Sequence, residues 1–191
     1  MPASNMKSFT VAAALEKLSP DFRFVTSIYV PAGMMTDGIV KGDLRIYGRG
    51  DISLSYNFLD GDYLKGIDNL VDKIVQAGVK RVEGGLIGDE TYFSGDAKPG
   101  SWEWDDLQFY YGAETSALPL NDNVVEIVAT PGASGAGCNV RLTPANQIFT
   151  VINLCGTTTA GSPNTLRIIK KLDRNIIEVT GNIPSNDNGF K

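Results

Sequence analysis

Twenty-one glycines and nine prolines punctuate 191 residues, and they set the length of everything between them. Glycine ends an element through its conformational freedom, proline through a fixed φ and a missing N–H. The chain is therefore expected to build many short strands and turns rather than a helical bundle. Two stretches escape the punctuation. In residues 5–18, Val11, Leu15 and Leu18 follow helical spacing, Ser4 can cap the start, and Ser19-Pro20 stops the run. Met6, Phe9 and Ala12-Ala13-Ala14 spread apolar surface around the remaining circumference, which predicts a helix buried on several sides. In residues 63–77, Leu64, Ile67, Leu70, Val71, Ile74 and Val75 repeat at helical spacing, and Gly78 ends them. Strands are expected at 22–30, at 39–47 after the Asp37-Gly38 turn, and at 79–87. A long aromatic loop fills 90–123. After it come only strand-like runs, at 124–130, 138–143, 148–154, 165–172 and 176–181. The first two-thirds mixes helix and strand and the last third looks all-β, so the class is α+β. Apolar residues make up 42%, ordinary for a chain that buries a core, and the length suits one large domain or two small ones.

The same chain contains no histidine. That removes Ser-His-Asp and Cys-His arrangements, two-His zinc sites and any imidazole switch. Acid–base work within it must use Lys, Asp, Glu or Tyr. The formal charge is −5 and there is no long basic run, so a nucleic-acid partner is not expected. No apolar run approaches the ~20 residues that span a bilayer, and no charged-then-apolar leader opens the sequence. Oligomeric state is not legible.

Cys138 and Cys155 are too few to cage a metal without histidine. The runs 138–143 and 148–155 flank Pro144-Ala145-Asn146-Gln147, a turn-like segment. If they pair about a turn centred between Asn146 and Gln147, Cys138 falls opposite Cys155 in an antiparallel hairpin. A turn centred one residue earlier would put Asn153 there instead. Facing residues have Cα separations a disulfide accepts, and closing such a loop stabilises by ~3 kcal/mol in the chain-entropy model. Two buried free thiols are the other reading; a disulfide would favour an extracytoplasmic home.

Ser4-Asn5-Met6-Lys7 fits Ser-x-x-Lys. Positions i and i+3 share one helical face, so the lysine can reach the serine hydroxyl one turn earlier. A neutral lysine then serves as general base, and a helix N-terminus with partial burial favours that neutral form. Alone, the motif occurs by chance about once in a chain this long, with Ser4 a simple cap and Lys7 a solvated side chain.

Context changes that balance. Met1-Pro2-Ala3-Ser4-Asn5-Met6-Lys7 with its Ala-rich helix resembles the active-site segment of D-alanyl-D-alanine carboxypeptidases, most closely the low-molecular-mass class C penicillin-binding proteins. The resemblance continues through Lys41-Gly42-Asp43-Leu44, Gly48-Arg49-Gly50-Asp51 and Gly84-Gly85-Leu86-Ile87-Gly88-Asp89-Glu90-Thr91-Tyr92-Phe93. It is strongest in Trp102-Glu103-Trp104-Asp105-Asp106, Tyr110-Tyr111-Gly112-Ala113 and Ala117-Leu118-Pro119-Leu120-Asn121-Asp122-Asn123. It implies that Ser4 attacks the carbonyl between two terminal D-alanines of a peptidoglycan stem peptide, with Lys7 as base and an acyl-enzyme that water hydrolyses. β-Lactams would trap the serine, and no cofactor is called for. Asp106 and Tyr111 resemble the acidic and aromatic residues with which the family recognises the amino-bearing side chain of the stem peptide. Trp102 and Trp104 are expected to pack under the loop.

Two motifs that complete the family site, Ser-x-Asn and Lys-Thr/Ser-Gly, have no match in family context. Ser55-Tyr56-Asn57 and Ser162-Pro163-Asn164 read as turn residues. The chain is thus expected to be an internal piece of a periplasmic or otherwise extracytoplasmic enzyme, inactive or nearly so by itself. The resemblance implies residues 1–47 as part of the penicillin-binding core, 48–123 as an inserted mixed α/β region, 124–184 as an inserted β-rich region, and 185–191 as a loose tail. The alternatives are a non-catalytic binding or structural module, or a related Ser-x-x-Lys hydrolase such as a β-lactamase or esterase. The Trp-rich loop and long insert argue against the last.

Overall fold

The computed structural model describes residues 3–190; Met1, Pro2 and Lys191, which the motif and tail expectations include, lie outside it. The fold is α+β. Helix α1 spans Met6–Leu18 and α2 spans Lys65–Gln76, each within two residues of the stretch read from spacing. At the end of α2, Gly78 adopts φ 90°, a region that favours glycine. Every residue of α1 is exposed, including Phe9 at 69%. The expected burial on several sides is therefore absent, because no other element among the described residues packs against this helix.

The first sheets come from strands that bend. β1 (Ser27–Tyr29), β2 (Met35–Thr36), β3 (Ile39–Val40), β4 (Leu44–Tyr47), β5 (Arg81–Val82) and β6 (Leu86–Asp89) form two three-stranded sheets, ordered β1-β4-β6 and β2-β3-β5. β2 and β3 make a two-residue hairpin in which Asp37 and Gly38 both have positive φ, 52° and 84°. The continuous strand expected at 39–47 is broken at 41–43, and that at 79–87 at 83–85. The breaks coincide because Gly42 and Gly84 touch through their backbones. A Cβ on Gly84 would overlap the Gly42 carbonyl. Gly85 N–H donates to Asp43 Oδ1 at 2.7 Å, and Leu44 N–H to the Gly85 carbonyl at 2.9 Å. Gly84→Ala is expected to destabilise by about 1–3 kcal/mol through overpacking, read as a lowered denaturant midpoint with unchanged slope.

β3 and β4 run parallel to β5 and β6, with α2 as the crossover. The sheet β1-β4-β6 thus runs across residue 47, where a boundary was expected. The strand expected at 22–30 shrinks to β1. Arg49 supplies the reason, since its Nη1 donates to the Val25 carbonyl at 2.8 Å and replaces a ladder partner.

The second half contains β7 (Glu126–Thr130), β8 (Asn139–Thr143), β9 (Thr150–Asn153), β10 (Gly156–Thr158), β11 (Arg167–Lys170), β12 (Ile176–Thr180) and β13 (Asn182–Pro184). β8 pairs antiparallel with β7, while β9 and β10 run parallel to β12 and β13. The hairpin expected between 138–143 and 148–155 is therefore not formed. Asn146 takes the chain elsewhere, its Oδ1 accepting from Ile148 and Phe149 N–H at 3.1 and 3.2 Å. Cys138 and Cys155 are nonetheless joined in a disulfide, with Cα atoms 5.4 Å apart, beside an isolated antiparallel bridge between Gly137 and Gly156. They are buried with Ile177, Val179 and Ile183, the centre of this half's core. Of the loop or frayed tail that residues 185–189 allow, the structure shows the loop, closed where Phe190 exchanges both backbone hydrogen bonds with Ala129 of β7.

The halves meet at residues 121–126. Asn121, Asp122 and Asn123 all carry positive φ, a conformation Asn and Asp tolerate best after glycine. Buried Asn121 accepts from Tyr56 N–H at 3.0 Å and donates to the Tyr63 carbonyl at 2.9 Å. Tyr63 stacks on Tyr56 at 4.3 Å and donates to Glu126 Oε2 at 3.3 Å. Burial, then the Glu126 carboxylate, pushes the Tyr63 phenol up to about 12. The unfolded phenol ionises near its ordinary value of about 10, so this residue's contribution is whole below that pH and lost as pH rises through 12. Urea midpoints measured across that window are expected to fall less steeply in Tyr63→Phe than in the unaltered protein.

Candidate active site

Ser4 lies in a single 3-10 turn, Ala3–Asn5, that leads directly into α1, and Lys7 sits in the first turn of that helix. The i, i+3 spacing brings them together. Lys7 Nζ donates to Ser4 Oγ at 3.3 Å. Ser4 does not cap the helix as expected; the flanking residue is Asn5, in helical conformation and without a side-chain cap bond. Both members of the pair are exposed, so the partial burial expected around Lys7 is not supplied by the described residues. What the pair offers is a hydroxyl within reach of an amine at the positive end of a 13-residue helix.

Asp106 and Tyr111 also come together, through loop geometry. Asp106 opens the 3-10 turn Asp106–Gln108, and Tyr111 lies in the next, Tyr110–Gly112. Gly112 lets the turns close, since a Cβ there would overlap the Asp106 carbonyl. Burial, then the Asp106 carboxylate accepting from its hydroxyl, raises the Tyr111 phenol above its usual range. Phe109 stacks on Tyr111 at 5.4 Å, and Tyr110 meets it edge-on at 5.4 Å. Trp102 is half-buried, but Trp104 is 74% exposed and does not pack under the loop as expected. Among the described residues no hydrogen bond or ion pair joins Asp106 and Tyr111 to Ser4 and Lys7.

Both Ser-x-Asn matches are turn formers. Ser55 Oγ accepts from Asn57 N–H at 3.3 Å, while Asn57 donates to Asp122 at 2.6 Å. Ser162 pairs with Thr159 at 3.0 Å, and Asn164 donates to Asp187 at 3.0 Å.

A polar cluster escaped the sequence reading. Buried Asp89 accepts from Thr91 N–H at 3.0 Å, Thr91 Oγ1 at 2.7 Å and Arg45 Nη1 at 3.2 Å. Those bonds, Thr91's first, hold its carboxyl below the usual range. The period-two placement of Arg45 and Tyr47, and of Ile87 and Asp89, was the available signal.

Known proteins resemble this chain in sequence and in fold. The chain is 36% identical over 191 residues to a D-alanyl-D-alanine carboxypeptidase of Actinomadura sp., covering 97% of this chain and 34% of that protein. It is 29% identical over 143 residues to penicillin-sensitive carboxypeptidase A of Dictyostelium discoideum, covering 68% and 25%. In structure it resembles penicillin binding protein 4 (dacB) of Haemophilus influenzae, with TM-score 0.74, 22% identity, and coverage of 99% of this chain and 40% of that one. A second structure of that protein, complexed with a β-lactam, gives TM-score 0.64 at 22% identity, covering 99% and 37%. The chain spans about a third of the Actinomadura relative's length. Residues 1–191 match the model of the D-Ala-D-Ala carboxypeptidase 3 (S13) family throughout, and the chain belongs to that family.

Proposed function

We propose that the protein to which these residues belong is an extracytoplasmic serine D-Ala-D-Ala carboxypeptidase acting on peptidoglycan stem peptides, and that β-lactams acylate it at Ser4. The observation that carries this reading is the 3.3 Å bond between Lys7 and Ser4 at the head of α1, in a chain of this family. With Lys7 as the neutral amine, the Ser4 hydroxyl donates to it and gives up its proton as Oγ attacks the carbonyl carbon between the two D-alanines. The Ser4 N–H, at the positive end of the helix, is one donor for the resulting oxyanion. Collapse returns the proton to the departing D-alanine amine, and water releases the acyl group. Asp106 pairs with the ammonium of the stem-peptide side chain beside the ring of Tyr111, a geometry that suits a cation near an aromatic face.

The exposure of Ser4, Lys7 and all of α1 favours a second reading for the isolated 191 residues, namely binding without turnover. A fluorescent penicillin distinguishes the two. In the intact protein a covalent adduct is expected, mapped to Ser4 by mass spectrometry; in residues 1–191 alone, none. An adduct at another residue of the intact protein would overturn the assignment, and rapid stoichiometric labelling of the isolated chain would overturn the second reading.

A further inference from the structure

One face of the sheet β1-β4-β6 has no part in the chemistry above. Side chains alternate across a strand, so Tyr29, Arg45, Tyr47 and Asp89 share a face opposite the buried Leu44 and Ile46. Register sets Tyr29 beside Arg45 and Tyr47 beside Asp89. The face forms an open cleft of about 600 Å³.

Its chemistry narrows what it can hold. Tyr29 and Tyr47 line it with their rings 6.4 Å apart, and the Tyr92 ring lies 6.3 Å from Tyr47 just outside it. Arg49 fixes two of them: its guanidinium sits 4.7 Å from the Tyr47 centroid, and its Nη2 donates to the Tyr29 hydroxyl at 3.2 Å. Arg45 is 55% exposed and bonded to Asp89, and Asp43 also lines the cleft. Its charged side chains are thus already tied up within the protein. A free anion meets two carboxylates, and a free cation finds both already engaged, Asp89 by Arg45 and Thr91 and Asp43 by the Gly85 N–H. A wholly apolar ligand would strip water from the Arg45–Asp89 pair without replacing its hydrogen bonds. A saccharide satisfies both demands, placing C–H faces on the rings and hydroxyls on the guanidinium and carboxylate. Ring centres spaced by more than 6 Å suit more than one sugar unit.

We propose that this cleft binds a neutral glycan strand, the polymer that carries the stem peptides. Only the identity of the polymer rests on the carboxypeptidase reading. The test titrates the intact protein, before and after penicillin treatment, with a peptide-free β-1,4-linked N-acetylglucosamine tetrasaccharide at low and high salt. Saturable binding that salt does not weaken is expected, whether or not Ser4 is blocked. Tyr29→Ala should weaken it by about fivefold, the worth of one aromatic contact. In the unaltered protein the sugar should shield Arg45 from a dicarbonyl reagent, a readout that needs no variant to fold. Absence of binding overturns the proposal. So do an affinity that Tyr29→Ala and Arg45→Ala leave unchanged, binding confined to acidic sugars and lost at high salt, and an Arg45 that is unreactive before sugar is added. Failure of penicillin to label Ser4, with sugar binding intact, would instead count against the carboxypeptidase reading.

Discussion

Ser4→Ala, made in the intact protein, is expected to abolish the covalent penicillin adduct and to lower turnover of a D-Ala-D-Ala peptide by a factor on the order of 10⁴ or more. The size of the effect follows from how few groups take part. Lys7 bonds to Ser4 Oγ through Nζ, and these 191 residues hold no histidine beside it. On the proposed assignment, removing the hydroxyl removes the atom that forms the acyl bond. Lys7→Ala should be nearly as severe, because a serine without a neighbouring base is a weak nucleophile at neutral pH. The two residues act as a unit, so the double variant should lose little more than either single one. Intact-mass measurement after penicillin treatment reads acylation, and release of D-alanine reads turnover. An adduct that persists in Ser4→Ala would place the nucleophile elsewhere. Asp106→Asn should behave differently: acylation by penicillin survives, while KM rises for peptides with a free side-chain amine and not for peptides that lack one.

The features legible in the sequence share a short range. Ser4 and Lys7 are three residues apart, so helix geometry alone predicts their contact. Asp37-Gly38 specifies its hairpin through the positive φ both residues accept, and Gly78 ends α2 in the same way. What escaped depends on distant partners. Spacing could show that 39–47 favours a strand, but not that Gly84, some forty positions on, presses against Gly42 and bends it. The β propensity of 138–143 was plain, yet its partner is β7 rather than the next strand along. The apolar circumference of α1 describes what the helix is suited to bury, not what is present to bury it. Arg49 stood inside a glycine-rich tetrapeptide that reads as a break. Its ties to Val25, Ser27 and Tyr29 became visible only when the chain brought residues 20 to 24 positions away alongside it.

Removing the Cys138–Cys155 bridge is expected to be the most damaging change in the β-rich half. The cysteines are 17 residues apart, and freeing a loop of that size raises unfolded-state entropy by about 3 kcal/mol at 25 °C in the chain-entropy model. For a protein of this length that corresponds to a fall in Tm of roughly 6–12 °C. The location adds to the effect. Both cysteines are buried against Ile177, Val179 and Ile183, and their backbones are joined by a 3.0 Å bond from Cys138 N–H to the Cys155 carbonyl. Named strands pair elsewhere, β8 with β7 and β9 with β12, and only the isolated Gly137–Gly156 bridge flanks that contact among the described residues. The covalent link thus adds to hydrogen bonds that already join these segments near residue 138, among them Thr157 N–H to the Ala136 carbonyl at 2.7 Å and Asn153 Nδ2 to the Cys138 carbonyl at 2.8 Å. Cys138→Ala/Cys155→Ala avoids burying serine hydroxyls and isolates the cross-link. Its calorimetric midpoint should fall, while penicillin labelling of Ser4 in the intact protein persists below that new midpoint, because every described residue of α1 is exposed rather than buried against this half. Thiol counting on denatured, unreduced protein provides the companion measurement: two reactive thiols, with a midpoint unchanged by the double variant, would mean that packing alone holds this half together.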